Sequence, residues 1–361
     1  MSKEWTFRIA FLLLGIAGGV IINSKSGDEN TTMKQVDEAH ARSSRPSNRI
    51  GHSEVARSLS RTIRHAKSAD LPNVLYRVLT EPEPLERHNL MLDAFDRMDS
   101  TNWMGMYLQF AKITADTGRD QHGEWNMAII RTGQVAGGDA VEYHWSQNAQ
   151  QASSAIYGWA QVNPNAAMQW LDEKGTSDPQ MRARLLHAVL SGQALANPDL
   201  AITTMKGLPK EERAALVAGV ATNIIQSAGN DKTIEWMINV NREFAETDKA
   251  YVDRVSSEVL TRLAKSATWR NGVPVLAEKI GRIHSRMPLQ SYQVMEIFSH
   301  LHNTEPLGLI DELHRRKTIT NIDEYQGVIR SVAKRVRDRS PEQYDAWIES
   351  HPESPLVGLL E

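Results

Sequence analysis

Apolar residues recur along most of this chain at intervals of three and four. Such spacing puts each set on one face of an α-helix. No segment shows a sustained alternation of apolar and polar residues with hairpin turns, which strands would require. The pattern predicts an all-α protein. The clearest stripes are Leu185, Leu186, Val189 and Leu190; Val255, Val259, Leu260 and Leu263; and Tyr325, Val328, Ile329, Val332 and Val336.

A short joint recurs between the predicted helices. Asn or Ser before Pro can start a helix, because the side chain accepts a hydrogen bond from a free N–H and proline fits the first helical position. Gly158 and Trp170 have looser counterparts 25 residues earlier, at Gly133 and Trp145. The joint itself recurs loosely at Asn230, Asn271, Asn303 and Ser340. A unit of two helices, each of roughly 10 to 15 residues, cannot bury its apolar face alone and must stack. The closest match pairs Gly158, Ala160, Asn163, Pro164 and Ala167 with Gly192, Ala194, Asn197, Pro198 and Ala201, 34 residues on.

This repeat resembles tetratricopeptide-type helical hairpins. It also resembles the looser helical repeats of exported bacterial proteins, whose boundaries read Trp-Ala-x-x-Asn-Pro. The resemblance is strongest over residues 154–237, lacks the usual Gly and Tyr of the first helix in most copies, and includes spacings of 25 and 41. We therefore expect an α-solenoid of stacked helical hairpins over residues 69–361. The resemblance implies scaffolding or peptide recognition in a concave groove, without a catalytic activity.

The N-terminus has the layout of a secretory signal or a signal anchor. An uncharged apolar run, residues 9–22, follows Lys3 and Arg8. As a helix this run spans about 21 Å, or about 27 Å counted from Trp5, against a hydrocarbon core of about 30 Å. A cleaved signal and an uncleaved anchor therefore both stay open for residues 1–22. Both predict the cell envelope, with the body held at the inner membrane outside the cytoplasm, or periplasmic or secreted after cleavage.

A polar segment separates this run from the body. Residues 23–53 hold almost no large apolar residue, which predicts a disordered linker. Residues 54–68 predict a short basic amphipathic helix with three possible roles: a cap on the first repeat, a helix that docks a partner, or a helix on the membrane surface. Its apolar stripe is Val55, Leu59, Ile63 and Ala66, and its cations Arg57, Arg61, Arg64 and Lys67 lie off that stripe.

Composition and charge narrow the function classes. Hydrophobic content of 41% and charged content of 24% over 361 residues are normal for a globular protein. Residues 1–68 carry a net charge of +5 and the remaining residues a net charge of −8. An acidic body argues against nucleic-acid binding. The split also suggests a regulator, in which the basic helix docks on the acidic body until a partner displaces it.

We find no catalytic, cofactor or metal motif in the sequence. There is no cysteine, which excludes thiolate metal sites and cysteine nucleophiles. Residues 133–138 lack the Lys of a phosphate loop and predict an inter-helix turn. His300, His302 and Glu305 lack the spacing of a zinc motif and suggest a helix end whose histidines face the last carbonyls. An enzyme of the α/α-toroid fold that acts on an envelope polymer stays as an alternative.

Two basic surfaces are the candidate partner-binding sites. The first is Arg57, Arg61 and Arg64 on the N-terminal helix. The second is Arg330, Lys334 and Arg337 on the last long helix, which also carries Arg335 and Arg339. We predict a scaffold, attached to the membrane through residues 9–22, that binds a protein or peptide. Trp145, Trp159, Trp170 and Trp236 lie at or beside equivalent repeat positions, which favours packing between repeats over an aromatic groove.

Overall fold

A computed structural model describes residues 54–118, 122–174, 178–270, 272–301, 305–318, 322–354 and 356–360. These residues form helices and turns and contain no strand, which confirms the all-α prediction for this part of the chain. The predicted signal or anchor, the predicted linker and His302 lie outside the described residues. No helix within these ranges combines the length and the apolar content needed to cross a membrane.

The chain divides into two compact units, Met1–Gly192 and Gln193–Glu361, and the boundary falls within the helix α9. The helices up to this boundary are α1 (Glu54–His65), α2 (Leu71–Leu79), α3 (Pro84–Asp96), α4 (Trp103–Thr117), α5 (His122–Ala136), α6 (Gly138–Gln147), α7 (Ala149–Val162), α8 (Pro164–Lys174) and α9 (Pro179–Ala196). The helices after it are α10 (Pro198–Gly207), α11 (Lys210–Phe244), α12 (Lys249–Arg270), α13 (Gly272–His284), α14 (Ser291–Ser299), α15 (Glu305–Arg315), α16 (Ile322–Arg339), α17 (Pro341–Ser350) and α18 (Val357–Leu360).

In the first unit, helices two apart in sequence pack against each other. Helix α1 contacts α3, α2 contacts α4, α3 contacts α5, and α5 contacts α7. Ile63, Leu75, Phe95 and Phe110 lie in the core between them, each at most 1% exposed. Burying one such side chain contributes about 1.5–3 kcal/mol. The helices are therefore held by contacts that a single helix could not make.

Helix α1 packs on the first unit through its apolar face. Ala56, Leu59 and Ile63 are buried, but Val55 is 58% exposed. The predicted stripe is therefore wrong at Val55. A helix turns by about 100° per residue, so Val55 lies about 80° around the helix from Ile63, whereas Ala56 lies about 20° from it. Arg97 donates hydrogen bonds to three carbonyls at the end of this helix, those of Ile63, Arg64 and Ala66, at 2.9, 2.6 and 3.0 Å.

The predicted joints between helices are confirmed where the amide of an asparagine caps the next helix. The side-chain oxygen of Asn163 accepts from the N–H of Ala166 at 3.3 Å. That of Asn197 accepts from the N–H of Leu200 at 3.1 Å. Each satisfies one N–H that the first turn of a helix leaves free. Proline follows at the first position of α8 and α10.

The second unit repeats this packing with longer helices than expected. Helix α12 contacts α14, α13 contacts α15, and α14 contacts α16. Helix α11 covers 35 residues, but Gly229 has φ 81° and ψ 178° and interrupts it at the predicted joint before Asn230. Ion pairs tie its second half to α13 and to the turn after it: Asp231 lies 3.1 Å from Arg282 in α13, and Glu235 lies 2.6 Å from Arg286 in that turn.

Candidate functional site

A small cleft opens in the second unit beside the C-terminal end of α16. It encloses about 130 Å³. Its floor is apolar and buried, since Phe298, Leu301, Val332 and Val336 are each at most 5% exposed. Helices α14 and α16 pack against each other, which places the end of α14 beside the last turns of α16. The residues that line the cleft are Phe298, Leu301, Pro306, Val332, Arg335, Val336, Arg339 and Ser340.

Two arginines line this cleft and make no ion pair with any described residue. Arg335 is half-buried and Arg339, one helical turn later, is exposed. Three other arginines of the second unit are paired: Arg262 lies 2.5 Å from Glu258, and Arg282 and Arg286 hold the ion pairs to α11. The guanidinium groups of Arg335 and Arg339 are thus free, as far as the described residues go, to bind a carboxylate or another anion. Planar guanidinium groups suit carboxylates because they can donate two parallel hydrogen bonds.

Ser340 adds a third donor to the same cleft. It precedes Pro341 and occupies the N-cap of α17, the position that the sequence predicted for it. Unlike Asn163 and Asn197, its side chain accepts no capping hydrogen bond. The capping part of the prediction is therefore wrong for Ser340. Ser340 is one of the residues that line the cleft.

The predicted cations of α16 lie on two different faces of the helix. Arg330, Lys334 and Arg337 are exposed. At about 100° per residue they share one stripe, opposite the buried stripe that includes Val332. Arg335 lies at the edge of the buried stripe, which is why it reaches the cleft. The structure therefore brings the three predicted site residues of this helix together, but on its outer face.

The other predicted cations lie on α1 and face away from the first unit. Arg57, Arg61 and Arg64 are all exposed. Within α1, the Nε atom of Arg61 donates to the carbonyl of Arg57 at 3.4 Å, and Arg64 donates to the hydroxyl of Ser60 at 3.3 Å. The helix is attached by its apolar residues and by Arg97. These three arginines remain a predicted partner-binding surface. No described acidic residue pairs with Arg61 or Arg64.

A row of polar contacts joins α12 and α14, but it lacks the geometry of a hydrolase site. The hydroxyl of Ser257 donates to the carboxylate of Glu296 at 2.5 Å. His300 lies 3.2 Å from the hydroxyl of Thr261. No described hydrogen bond joins its ring to Ser257 or to the last carbonyls of its own helix, where the sequence suggested it would point. Burial, and then the charge of Lys265, lower the pKa of His300. In a serine triad a histidine accepts the proton of the nucleophile, and the described partner of Ser257 is the carboxylate of Glu296 instead.

A second histidine is fully buried in the first unit. The ring of His144 is 0% exposed and lies 2.9 Å from the hydroxyl of Thr132 and 3.3 Å from the amide oxygen of Gln151. Tyr107 donates to the same Gln151 oxygen at 3.2 Å and packs edge-on against the imidazole. Burial lowers the pKa of His144 to about 4. A neutral ring without access to solvent suits a core position, not a general base.

Trp145, Trp159 and Trp170 in the first unit each contact a residue of another helix or turn. Trp145 and Trp170 form an edge-to-face pair with centroids 6.5 Å apart. The Trp159 ring covers the turn at Gly137, where an added Cβ would lie 3.0 Å from the indole Nε1. Trp236 in the second unit is 1% exposed. Trp159 and Trp236 confirm the packing interpretation, whereas Trp145 is 38% exposed, so packing between repeats stays a prediction for Trp145 and its neighbour Trp170.

Among the described residues, no group of three or more His, Asp or Glu is placed to hold a metal ion. Comparison of the chain with protein-family models, with curated proteins and with solved structures finds no match. The cleft on α16 is therefore the candidate site, because it combines a buried apolar floor with unpaired donors.

Proposed function

We propose that this chain is a helical-repeat scaffold of the α-solenoid type that binds a protein or peptide partner. One observation supports the proposal: glycines at equivalent positions of the sequence repeat make equivalent close contacts between helices. Gly158 and Gly192 lie 34 residues apart. An added Cβ on Gly158 would lie 2.0 Å from the carbonyl oxygen of Ile130, and one on Gly192 would lie 2.5 Å from that of Tyr157. Helices α5, α7 and α9 therefore meet in succession through equivalent glycines.

The remaining contacts support the same proposal. Helices two apart pack against each other in each unit, as they do in stacked hairpins. Proteins built in this way bind partners through side chains from several units and need no reacting groups. The unpaired Arg335 and Arg339 on their apolar floor offer such a surface.

We further propose that the protein acts in the cell envelope. The support is the sequence of residues 1–22, whose basic start and apolar run are typical of an export signal or anchor. Protease added to intact spheroplasts should degrade the body of the full-length protein. Protection of the body until the inner membrane is lysed would overturn the envelope location.

Crosslinking in living cells tests the scaffold itself. The full-length chain with an affinity tag is crosslinked, purified and analysed by mass spectrometry, beside an exported protein with the same tag. We expect one reproducible partner that the control does not recover. Recovery of background proteins alone would overturn the scaffold proposal and favour the enzyme alternative.

A further inference from the structure

We propose that the cleft on α16 binds an aliphatic side chain of a partner peptide together with a carboxylate next to it. This inference rests on the proposed function and names the chemistry of the partner. The apolar floor of the cleft would take the aliphatic side chain. Arg335, Arg339 and Ser340 would take the carboxylate.

The size of the cleft limits the apolar part of the ligand. Its volume is about 130 Å³. An apolar cavity of about 150 Å³ in a protein core holds one benzene molecule. One side chain of the size of leucine or isoleucine therefore fits, whereas a helix or a lipid tail does not. The C-terminal helix α18 contacts α16, yet no described residue of α18 lines the cleft.

The charged and polar side chains at the cleft limit which polar group the ligand can carry. Arg335 and Arg339 lie one helical turn apart, so their side chains are neighbours. With Ser340 they provide donors at the edge of an apolar floor, and a carboxylate accepts such donors well. Arg330, Lys334 and Arg337 on the same helix add positive potential that steers an acidic ligand to this end of the unit. Because residues 69–361 carry a net charge of −8, this surface differs in sign from the body.

A peptide fits these features better than a nucleic acid. A nucleic acid is held by a track of cations along many phosphates. The cleft instead offers one apolar hole and one cluster of donors, side by side. An aliphatic residue next to aspartate, glutamate or a C-terminal carboxylate has this arrangement.

The test uses the full chain and a phage-displayed library of random heptapeptides. Selected peptides are synthesised, and their dissociation constants are measured by fluorescence anisotropy. We expect enrichment of an aliphatic residue next to an acidic one. In the double variant R335A/R339A the affinity should fall by about tenfold or more, since each bond to a charged group is worth about a factor of ten. The control R242A/R254A removes the same charge from exposed side chains of α11 and α12 that do not line the cleft, and it should change affinity less than about threefold.

Each other outcome overturns the inference. Enrichment of no peptide, enrichment without an acidic residue, or equal losses in the two double variants would do so. Full displacement of the peptide by inorganic sulfate, with no effect of changing its aliphatic residue to alanine, would reveal a bare anion site. If R335A/R339A still recovers the crosslinked envelope partner in full, the cleft proposal fails and the scaffold proposal stands. If neither the wild type nor R335A/R339A recovers a partner, the scaffold proposal fails, and the cleft proposal that rests on it fails too.

Discussion

Gly133 and Gly158 allow the backbones of α5 and α7 to touch. An added Cβ on Gly133 would lie 1.8 Å from the carbonyl oxygen of Ala155, and one on Gly158 would lie 2.0 Å from that of Ile130. Real Cβ atoms do not approach backbone atoms this closely. The contact is reciprocal, because each glycine faces the backbone one turn from the other. The two helices can therefore pack in this way only while both positions lack a side chain.

Substitution of Gly133 by alanine should destabilise the first unit strongly. The methyl group would meet a backbone carbonyl that cannot rotate away, so the two helices would have to separate. Overpacking of a core costs about 1–3 kcal/mol, and we expect the upper end of this range. Chemical unfolding followed by circular dichroism measures the shift. The control on the same helix is G123A, because nothing lies within 4 Å of a Cβ at Gly123. This variant should gain up to about 1 kcal/mol from helix propensity, and an equal loss in both variants would contradict the explanation.

The sequence predicted the helices and joints better than it predicted their lengths. The Asn-Pro joints are local chemistry, so Asn197 could be assigned from its neighbours alone. Residues 133–138 were expected to form a turn, but α5 continues to Ala136 and only Gly137, with φ 57°, is in the turn. The reason is that Gly133 is required by a helix crossing rather than by a turn. The sequence alone does not distinguish a glycine that a helix crossing requires from one that a turn requires. Only the tertiary contact distinguishes the two roles.

Only part of the candidate site could be predicted from the sequence. The cations of α16 could be found because they lie off an apolar stripe. Their division into an outer set and a cleft-lining set depends on Phe298 and Leu301, which lie more than thirty residues earlier and carry no polar signal. Similarly, no pattern distinguishes Ser340, which caps nothing, from Asn197, which caps α10. The division of the cations arises from packing between helices that are distant in sequence.

Removal of the cap at Asn197 should cost about 1 kcal/mol, the usual value for this bond. The variant N197A leaves the N–H of Leu200 without its side-chain acceptor. The variant S340A is the matched control, because Ser340 also precedes a proline but accepts no capping bond. We expect urea unfolding midpoints to fall for N197A and to stay unchanged for S340A. An unchanged midpoint in N197A would mean that the joint acts through proline alone, and an equal fall in S340A would contradict the assignment of the cap.

Helix α1 should come loose when Arg97 is replaced. In R97A the carbonyls of Ile63, Arg64 and Ala66 lose a charged donor at the end of the helix, where a cation also interacts favourably with the helix dipole. The expected loss is roughly 2 kcal/mol, confined to local opening of α1. Amide hydrogen exchange read out by mass spectrometry measures it, since the α1 amides should exchange faster while those of α7 do not.

The same measurement distinguishes a cap from a charge-gated regulator. The control R61A changes an exposed side chain that bonds only within α1, and it should leave exchange almost unchanged. Docking through Leu59 and Ile63 is apolar, so 0.5 M salt should not release α1 either. Release of the wild-type helix by salt would contradict apolar docking and support the regulator hypothesis, because salt screens attraction between exposed charges.

His144 should make the first unit sensitive to acid. Its pKa is about 4 in the folded protein, below the ordinary value of 6.5, because burial disfavours the charged ring. The unfolded chain therefore binds the extra proton first, and stability falls as the pH falls from 6.5 to 4 and levels off below. One pKa unit is worth about 1.4 kcal/mol, so the full loss is about 3 kcal/mol, with about 2 kcal/mol lost by pH 5. The variant H144F keeps an aromatic ring and cannot titrate. Urea unfolding at pH 7.5 and pH 5 should show a smaller difference in H144F than in the wild type, and equal differences would mean that His144 is not the acid-sensitive group.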